Sequence, residues 1–234
     1  MTIARAPRRL PAGAVHVWLF DVPTKRSSRR ADDPRPGTAR ERRPGRLRST
    51  ARKALLRVLA GYLAARHPRI VYGAHGRPCL RESGGLDFNV AHSGGRIAIA
   101  VTRGARVGID IERLRAVPSA VRLAEEVFGR DAAAWLAKRD EPKRSAAFLT
   151  LWTLLEAAVK AAGEDVSQSF ARFRAAALAA GEGLRVGALD LRRLEFGGGY
   201  AAALALDRPV RSLKIIRAGE KPAGPISRRT RRRR

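Results

Sequence analysis

The sequence predicts an α+β fold, and three observations carry that expectation. Stretches with a period of two, the mark of strands, lie near both ends and in the middle of the chain. Stretches with helical spacing fall between them. The order of the two kinds is irregular, without the strand–helix–strand alternation that builds a doubly wound parallel sheet. At 234 residues and 45% hydrophobic content, the chain can bury a sizeable core.

Each element has a local reason. "GAVHVWLFDV" (13–22) is apolar, rich in β-branched and aromatic residues, and ended by Pro23, so it predicts a strand. In 49–68, Leu55, Leu56, Leu59, Tyr62 and Leu63 recur at helical spacing until Pro68 stops the run. "RIVYGAHGRPCL" (69–80) predicts a short strand and a turn. Residues 96–102 and 106–112 are two apolar runs around a Gly-containing basic turn and predict a hairpin. Residues 118–129, with Ser119 placed as N-cap, and 131–139 predict helices, and 145–162 a longer one. Strands are expected again at 187–196 and 200–207, across Gly197, Gly198 and Gly199, and at 212–217.

Composition limits the function. The one cysteine, Cys79, rules out an internal disulfide and a cysteine-based zinc cluster, and fits a reducing cytoplasm. No apolar run approaches the roughly 18 residues of a membrane span, and "AVHVWLF", short and interrupted by His16, does not predict a signal peptide. The net charge of +27 favours an acidic partner. It concentrates in 23–48 and in the tail 227–234, both rich in arginine and poor in apolar residues. These segments are expected to be a mobile loop and a disordered tail.

Against that charge, "VGIDIE" (107–112) is conspicuous. A strand's period of two sends Val107, Ile109 and Ile111 to one face, and Gly108, Asp110 and Glu112 to the other. At about 3.3 Å rise per residue the two acidic Cα atoms lie roughly 6.6 Å apart, close enough for both carboxylates to reach one cation. Hard oxygen ligands of this kind suit Mg²⁺ with substrate phosphate oxygens. The plain alternative is an exposed strand face with two solvated acids beside Arg113 and Arg115. In the long helix, Phe148, Leu151, Leu155, Ala158 and Ala162 make an apolar stripe, with Trp152, Glu156 and Lys160 on an adjoining one. Glu156 is either a third carboxylate for the metal or a general base, with Lys160 handling charge on a leaving group, or it is half of an ordinary i,i+4 surface pair with Lys160.

Taken together, these motifs resemble the 4′-phosphopantetheinyl transferase family of the larger single-chain type, over roughly residues 13–207. "VGIDIE" matches the family's (V/I)G(V/I)D(I/L)E, and "WTLLEAAVK" matches its W-x-x-K-E-x-x-x-K at Trp152, Glu156 and Lys160. "FNVAHS" (88–93) is similar to FN(I/L)SHS, "GRP" (76–78) to its GKP turn, and Arg48 to the arginine opening its first long helix. Four departures stand out. Leu155 replaces the lysine before the helix glutamate, Ala91 a serine, Asp165 and Val166 a Gly-Leu pair, and Ala132 a glutamate.

The resemblance implies transfer of the phosphopantetheine arm of coenzyme A to a serine of an apo acyl or peptidyl carrier protein, with release of 3′,5′-ADP. Asp110, Glu112 and Glu156 would bind Mg²⁺, Glu156 would take the serine proton, and Lys160 would stabilise the leaving group. Arg48, Arg77 and His92 would grip the coenzyme A phosphates. Asn89 and Ser93 are expected to shape the turn around His92. The implied fold is two similar α/β lobes related by a pseudo-twofold: 1–104, holding the basic loop, and 105–216, holding the metal site, followed by the tail 217–234. One chain with both lobes would suffice as a monomer. Two alternatives stay open: a family member that binds coenzyme A or a carrier protein without efficient turnover, and a basic nucleic-acid binding protein. The second lacks any helix-turn-helix, zinc-finger or RNA-recognition pattern.

Overall fold

A computed structural model describes residues 10–22, 45–63, 67–73, 76–163 and 184–218. Most of the arginine-rich segment 23–48, the tail 219–234, and Asp165 and Val166 lie outside the described residues. The elements in chain order are β1 (Ala14–Asp21), α1 (Gly45–Leu63), β2 (Ile70–Tyr72), β3 (Pro78–Leu80), β4 (Leu86–Ser93), β5 (Arg96–Arg103) and β6 (Val107–Arg113). Then come α2 (Ala120–Phe128), α3 (Arg130–Ala137), α4 (Lys143–Ala162), β7 (Leu184–Val186), β8 (Leu189–Arg193), β9 (Tyr200–Leu206) and β10 (Ser212–Arg217). The protein is mixed α/β, with two four-stranded sheets, ordered β10-β1-β5-β4 and β6-β9-β8-β7, and a small β2-β3 hairpin.

Period-two alternation sorts the side chains into three apolar layers. Val15, Val17, Leu19, Ala98 and Ala100 of the first sheet meet Ile109, Ile111, Ala202 and Leu204 of the second, so the sheets pack face to face. On its far side the first sheet sends Trp18, Phe20, Phe88 and Ile99 against Ala54, Val58 and Leu59 of α1. The second sheet sends Ala201, Ala203 and Ala205 against Leu154, Ala157 and Ala161 of α4. Tyr62 ties α1 to β1: its oxygen accepts from Trp18 Nε1 at 2.9 Å and lies 2.7 Å from His16 Nδ1. Burial pushes the Tyr62 hydroxyl up to about 12 and lowers His16, the nearby Lys214 adding to the second effect.

Four expectations are corrected. The runs 96–102 and 106–112 do not form a hairpin. β5 is already flanked by β1 and β4, so the turn at Gly104 carries the chain to the other sheet, where β6 pairs with β9. "FNVAHS" is not a turn but most of β4, which pairs with β5 along its whole length. Ser119 stands at the N-cap of α2, yet its hydroxyl makes no capping bond. Finally, α4 is long and apolar enough to cross a membrane, although no such run was expected. More than half of that stretch is buried inside the fold, so its apolarity belongs to the core. The strand at 212–217 leaves the second half of the chain to pair in parallel with β1.

Candidate active site

The site begins at the joint between the sheets, where edge strand β4 runs beside edge strand β6. Asp87, Asn89 and Ser93 point from β4 toward β6 and accept hydrogen bonds from the backbone N–H groups of Val107, Ile109 and Arg113 at 2.7, 3.1 and 3.1 Å. A strand edge that would otherwise leave donors without acceptors is thus satisfied by side chains. Sequence reasoning missed this role. The signal was there, since Asp87, Asn89 and Ser93 share one parity while Leu86, Phe88 and Val90 of the other are apolar.

On β6, Val107, Ile109 and Ile111 are buried between the sheets, as their alternation predicts. The opposite face, however, is not open to solvent: α4 lies across it. Gly108 makes this possible, because a Cβ there would stand 2.0 Å from the Ala157 carbonyl oxygen and 2.5 Å from the Ala161 nitrogen. The close approach buries Asp110, which is 7% exposed, against α4.

Lys160, on α4, reaches down to this strand. Its Nζ lies 2.6 Å from Asp110 Oδ1 and 3.7 Å from Glu156 Oε2, one turn back on the helix. The Glu156–Lys160 pair is therefore part of a three-residue group rather than an isolated surface pair. Burial pushes the Asp110 carboxyl up to about 6, Lys160 opposing it and the nearby Glu156 and Glu112 reinforcing it. Glu112, at the open end of β6, accepts from Ser93 Oγ at 2.8 Å and from Arg115 Nη1 at 3.1 Å, both at Oε2.

The second oxygen of Asp110 carries the chemical hint. Oδ2 is buried without a hydrogen-bond partner, a costly state for a carboxylate oxygen. Among the described residues, no three Asp, Glu, His or Cys side chains converge as a ready-made cage. Asp110 and Glu156 share Lys160, Glu112 lies close enough to act on Asp110, and the orphaned oxygen, with these two further carboxylates nearby, fits a hard divalent cation completed by substrate oxygens.

The predicted phosphate-binding residues lie elsewhere. Arg77 is nearly buried: its Nη2 donates to Asp87 Oδ2 at 2.6 Å and to the Val107 carbonyl at 3.0 Å, while Nη1 is buried without a partner. Burial raises the Asp87 carboxyl, with Arg77 opposing. His92, half-buried, alternates with Ala91 and Ser93 and so sits on the α1 side of β4, with Phe88 and Val90. Arg48 is exposed in the first turn of α1. The structure thus gathers Asp110, Glu112, Glu156 and Lys160, and seats Arg77 at the joint. Arg48 and His92 belong to the first sheet and its helix, without a described hydrogen bond to the acids.

Leu155 is 1% exposed and packs in the core with Phe148, Leu151 and Ala158, as the apolar stripe predicts. The stripe ends on Ala161, which is fully buried, rather than on Ala162.

Comparison with known proteins adds an independent line. Residues 106–205 match the family described as the 4′-phosphopantetheinyl transferase superfamily. Similar proteins include the 4′-phosphopantetheinyl transferase AcpT of Salmonella typhimurium, 36% identical over 112 residues, which cover 48% of this chain and 58% of that protein. The 4′-phosphopantetheinyl transferase psf-1 of Bacillus pumilus is 34% identical over 101 residues, 43% of this chain and 42% of its own. The 4′-phosphopantetheinyl transferase Sfp of Bacillus subtilis is 29% identical over 93 residues, 40% of each. The matched part therefore spans about half the length of these relatives.

Proposed function

We propose that this chain, whose residues 106–205 match the 4′-phosphopantetheinyl transferase superfamily, is a member of it and moves the phosphopantetheine arm of coenzyme A onto a serine of an apo acyl or peptidyl carrier protein. The observation that carries the reading is the buried, unpartnered Asp110 Oδ2 set among Glu112, Glu156 and Lys160, inside the matched segment.

In this reading Asp110, Glu112 and Glu156 would hold Mg²⁺, which would offset the negative charge of the pyrophosphate oxygens. Glu156, a third exposed, takes the proton of the carrier serine directly or through a water. The serine oxygen bonds to the attacked phosphorus as the pyrophosphate P–O bond breaks, and 3′,5′-ADP departs with the electron pair. Lys160 meets the charge on that leaving group. Arg77, with its spare Nη1, and Arg48 and His92 hold the phosphates of coenzyme A; an arginine in place of lysine keeps the charge and adds a fork.

The finer architecture belongs to the same proposal. Each four-stranded sheet is covered by a long helix, α1 on one and α4 on the other, which supports a pseudo-twofold of two lobes divided near residue 104, the first of them completed by β10 from 212–217 rather than by its own half of the chain alone. The edges β4 and β6 form their joint. A monomer acting in the cytoplasm fits the site's placement in one chain and the free thiol of Cys79. The +27 charge suits an acidic partner, and the match to transferases makes that partner an acidic carrier protein rather than nucleic acid or a membrane.

A non-catalytic relative is the second reading, on one observation: Leu155 replaces the motif's lysine and is spent on the core, so it adds no charge to the site. Incubation with coenzyme A, Mg²⁺ and several apo-carriers, followed by weighing the carriers, separates the two. Carriers gaining the mass of the arm support the enzyme. Carriers that bind without gaining mass support the non-catalytic relative.

A further inference from the structure

Ser93 ends β4 and is followed by Gly94, at φ 56°. A Cβ at Gly94 would stand 2.6 Å from Cδ and 2.8 Å from Cβ of Arg113, so glycine lets Arg113 lie against the end of β4. That approach brings the Arg113 N–H to Ser93 Oγ at 3.1 Å. A hydroxyl has one proton, and with an N–H already donating to this oxygen the proton is free to be donated onward. It goes to Glu112 Oε2, 2.8 Å away, where Arg115 Nη1 also donates. Both donors fall on one oxygen, and no described hydrogen bond reaches Oε1.

We propose that Ser93 is a positioning residue for Glu112: it fixes one carboxylate oxygen so that the other is presented to the metal. The proposal rests on the reading of Glu112 as a metal ligand. Arg115 cannot set the orientation alone, because its side chain is 58% exposed and such a pair is weakened by water. Of the three β4 side chains that satisfy β6, only Ser93 passes a hydrogen bond on to an acid of the site. The hydroxyl therefore has two separable effects: one on the joint between the sheets, and one on the metal through Glu112.

The test titrates Mn²⁺, as a stand-in for Mg²⁺, into the full chain with coenzyme A present. Free Mn²⁺ is read by electron paramagnetic resonance, and melting is followed in chelator. Removing a group that orients a ligand weakens metal binding by about 10-fold or more. Ser93→Ala should show that loss, Ser93→Thr should restore binding close to the parent value, and Glu112→Gln should lose more. Should Ser93→Ala not fold, Ser93→Cys, which keeps the size but donates weakly, carries the same expectation. A Ser93→Ala chain that melts earlier yet binds Mn²⁺ like the parent, while Glu112→Gln does not, overturns the positioning role and leaves the metal reading standing. A parent that binds no Mn²⁺, or a Glu112→Gln chain that binds it normally, overturns the metal reading and this proposal with it.

Discussion

Replacing Asp110 with asparagine should make the protein more stable and inactive. In the folded chain the Asp110 carboxyl is pushed from 3.8 to about 6, chiefly by burial beneath α4. A raised carboxyl value means that the folded chain binds the proton more tightly than the unfolded one. Stability therefore falls as pH rises from 3.8 to 6, and stays lowered above that. The difference of about 2.2 pH units between the two values corresponds to about 3 kcal/mol, at about 1.36 kcal/mol per unit. Asparagine keeps the shape and never ionises, so the variant escapes this loss. Lys160, 28% exposed, can turn to water when its partner goes. The assay is urea denaturation of both chains in chelator. The stability of Asp110→Asn relative to the parent should grow by about 2 kcal/mol between pH 4.5 and pH 7.5. A difference that stays constant over this range, or shrinks as pH rises, would refute the reasoning. Loss of transfer alongside gained stability is the trade-off expected where function holds a charge in an unfavourable place.

Other outcomes follow from the packing. Gly108→Ala should cost about 3 kcal/mol or prevent folding, since its Cβ would enter the Ala157 carbonyl; circular dichroism melting checks this. Leu155→Lys should cost about 3 kcal/mol or more by placing an ammonium in the α4 core, and a thermally neutral variant would move position 155 to the surface. Ala91→Ser should add about 1 kcal/mol, because position 91 faces Ile111 as Asn89 faces Ile109, and a hydroxyl there can accept the Ile111 N–H; slowed amide exchange at Ile111 would show it.

Much of this arrangement was legible in the sequence because strands and helices have fixed periods. The alternation in "VGIDIE" separated the buried aliphatics from the acids, and the spacing in α4 put Leu155 in the core beside Phe148 and Leu151. Pairing was less legible. Gly104 has the φ of a turn glycine, but a turn does not record whether the next strand folds back or crosses to another sheet. That depends on β1 having already taken the free edge of β5, a contact made across more than seventy residues. The parallel return of β10 to β1 is hidden for the same reason. β4 escaped recognition because one of its faces meets a polar joint, so Asp87, Asn89 and Ser93 looked like turn residues. In the site, the acids could be named from motifs, but the burial of Asp110 could not. It arises because Gly108 and the alanines of α4 and β9 let helix and sheet approach so closely.

The central claim is that this chain transfers the coenzyme A arm through a site built on Asp110. The most direct measurement weighs apo-carrier proteins after incubation with coenzyme A and Mg²⁺, using the parent chain, the parent in excess chelator, and Asp110→Asn. The account predicts arm-bearing carrier from the parent alone, with 3′,5′-ADP formed in equal amount. Arm-bearing carrier from all three samples, or from none across acyl and peptidyl carriers, would contradict it.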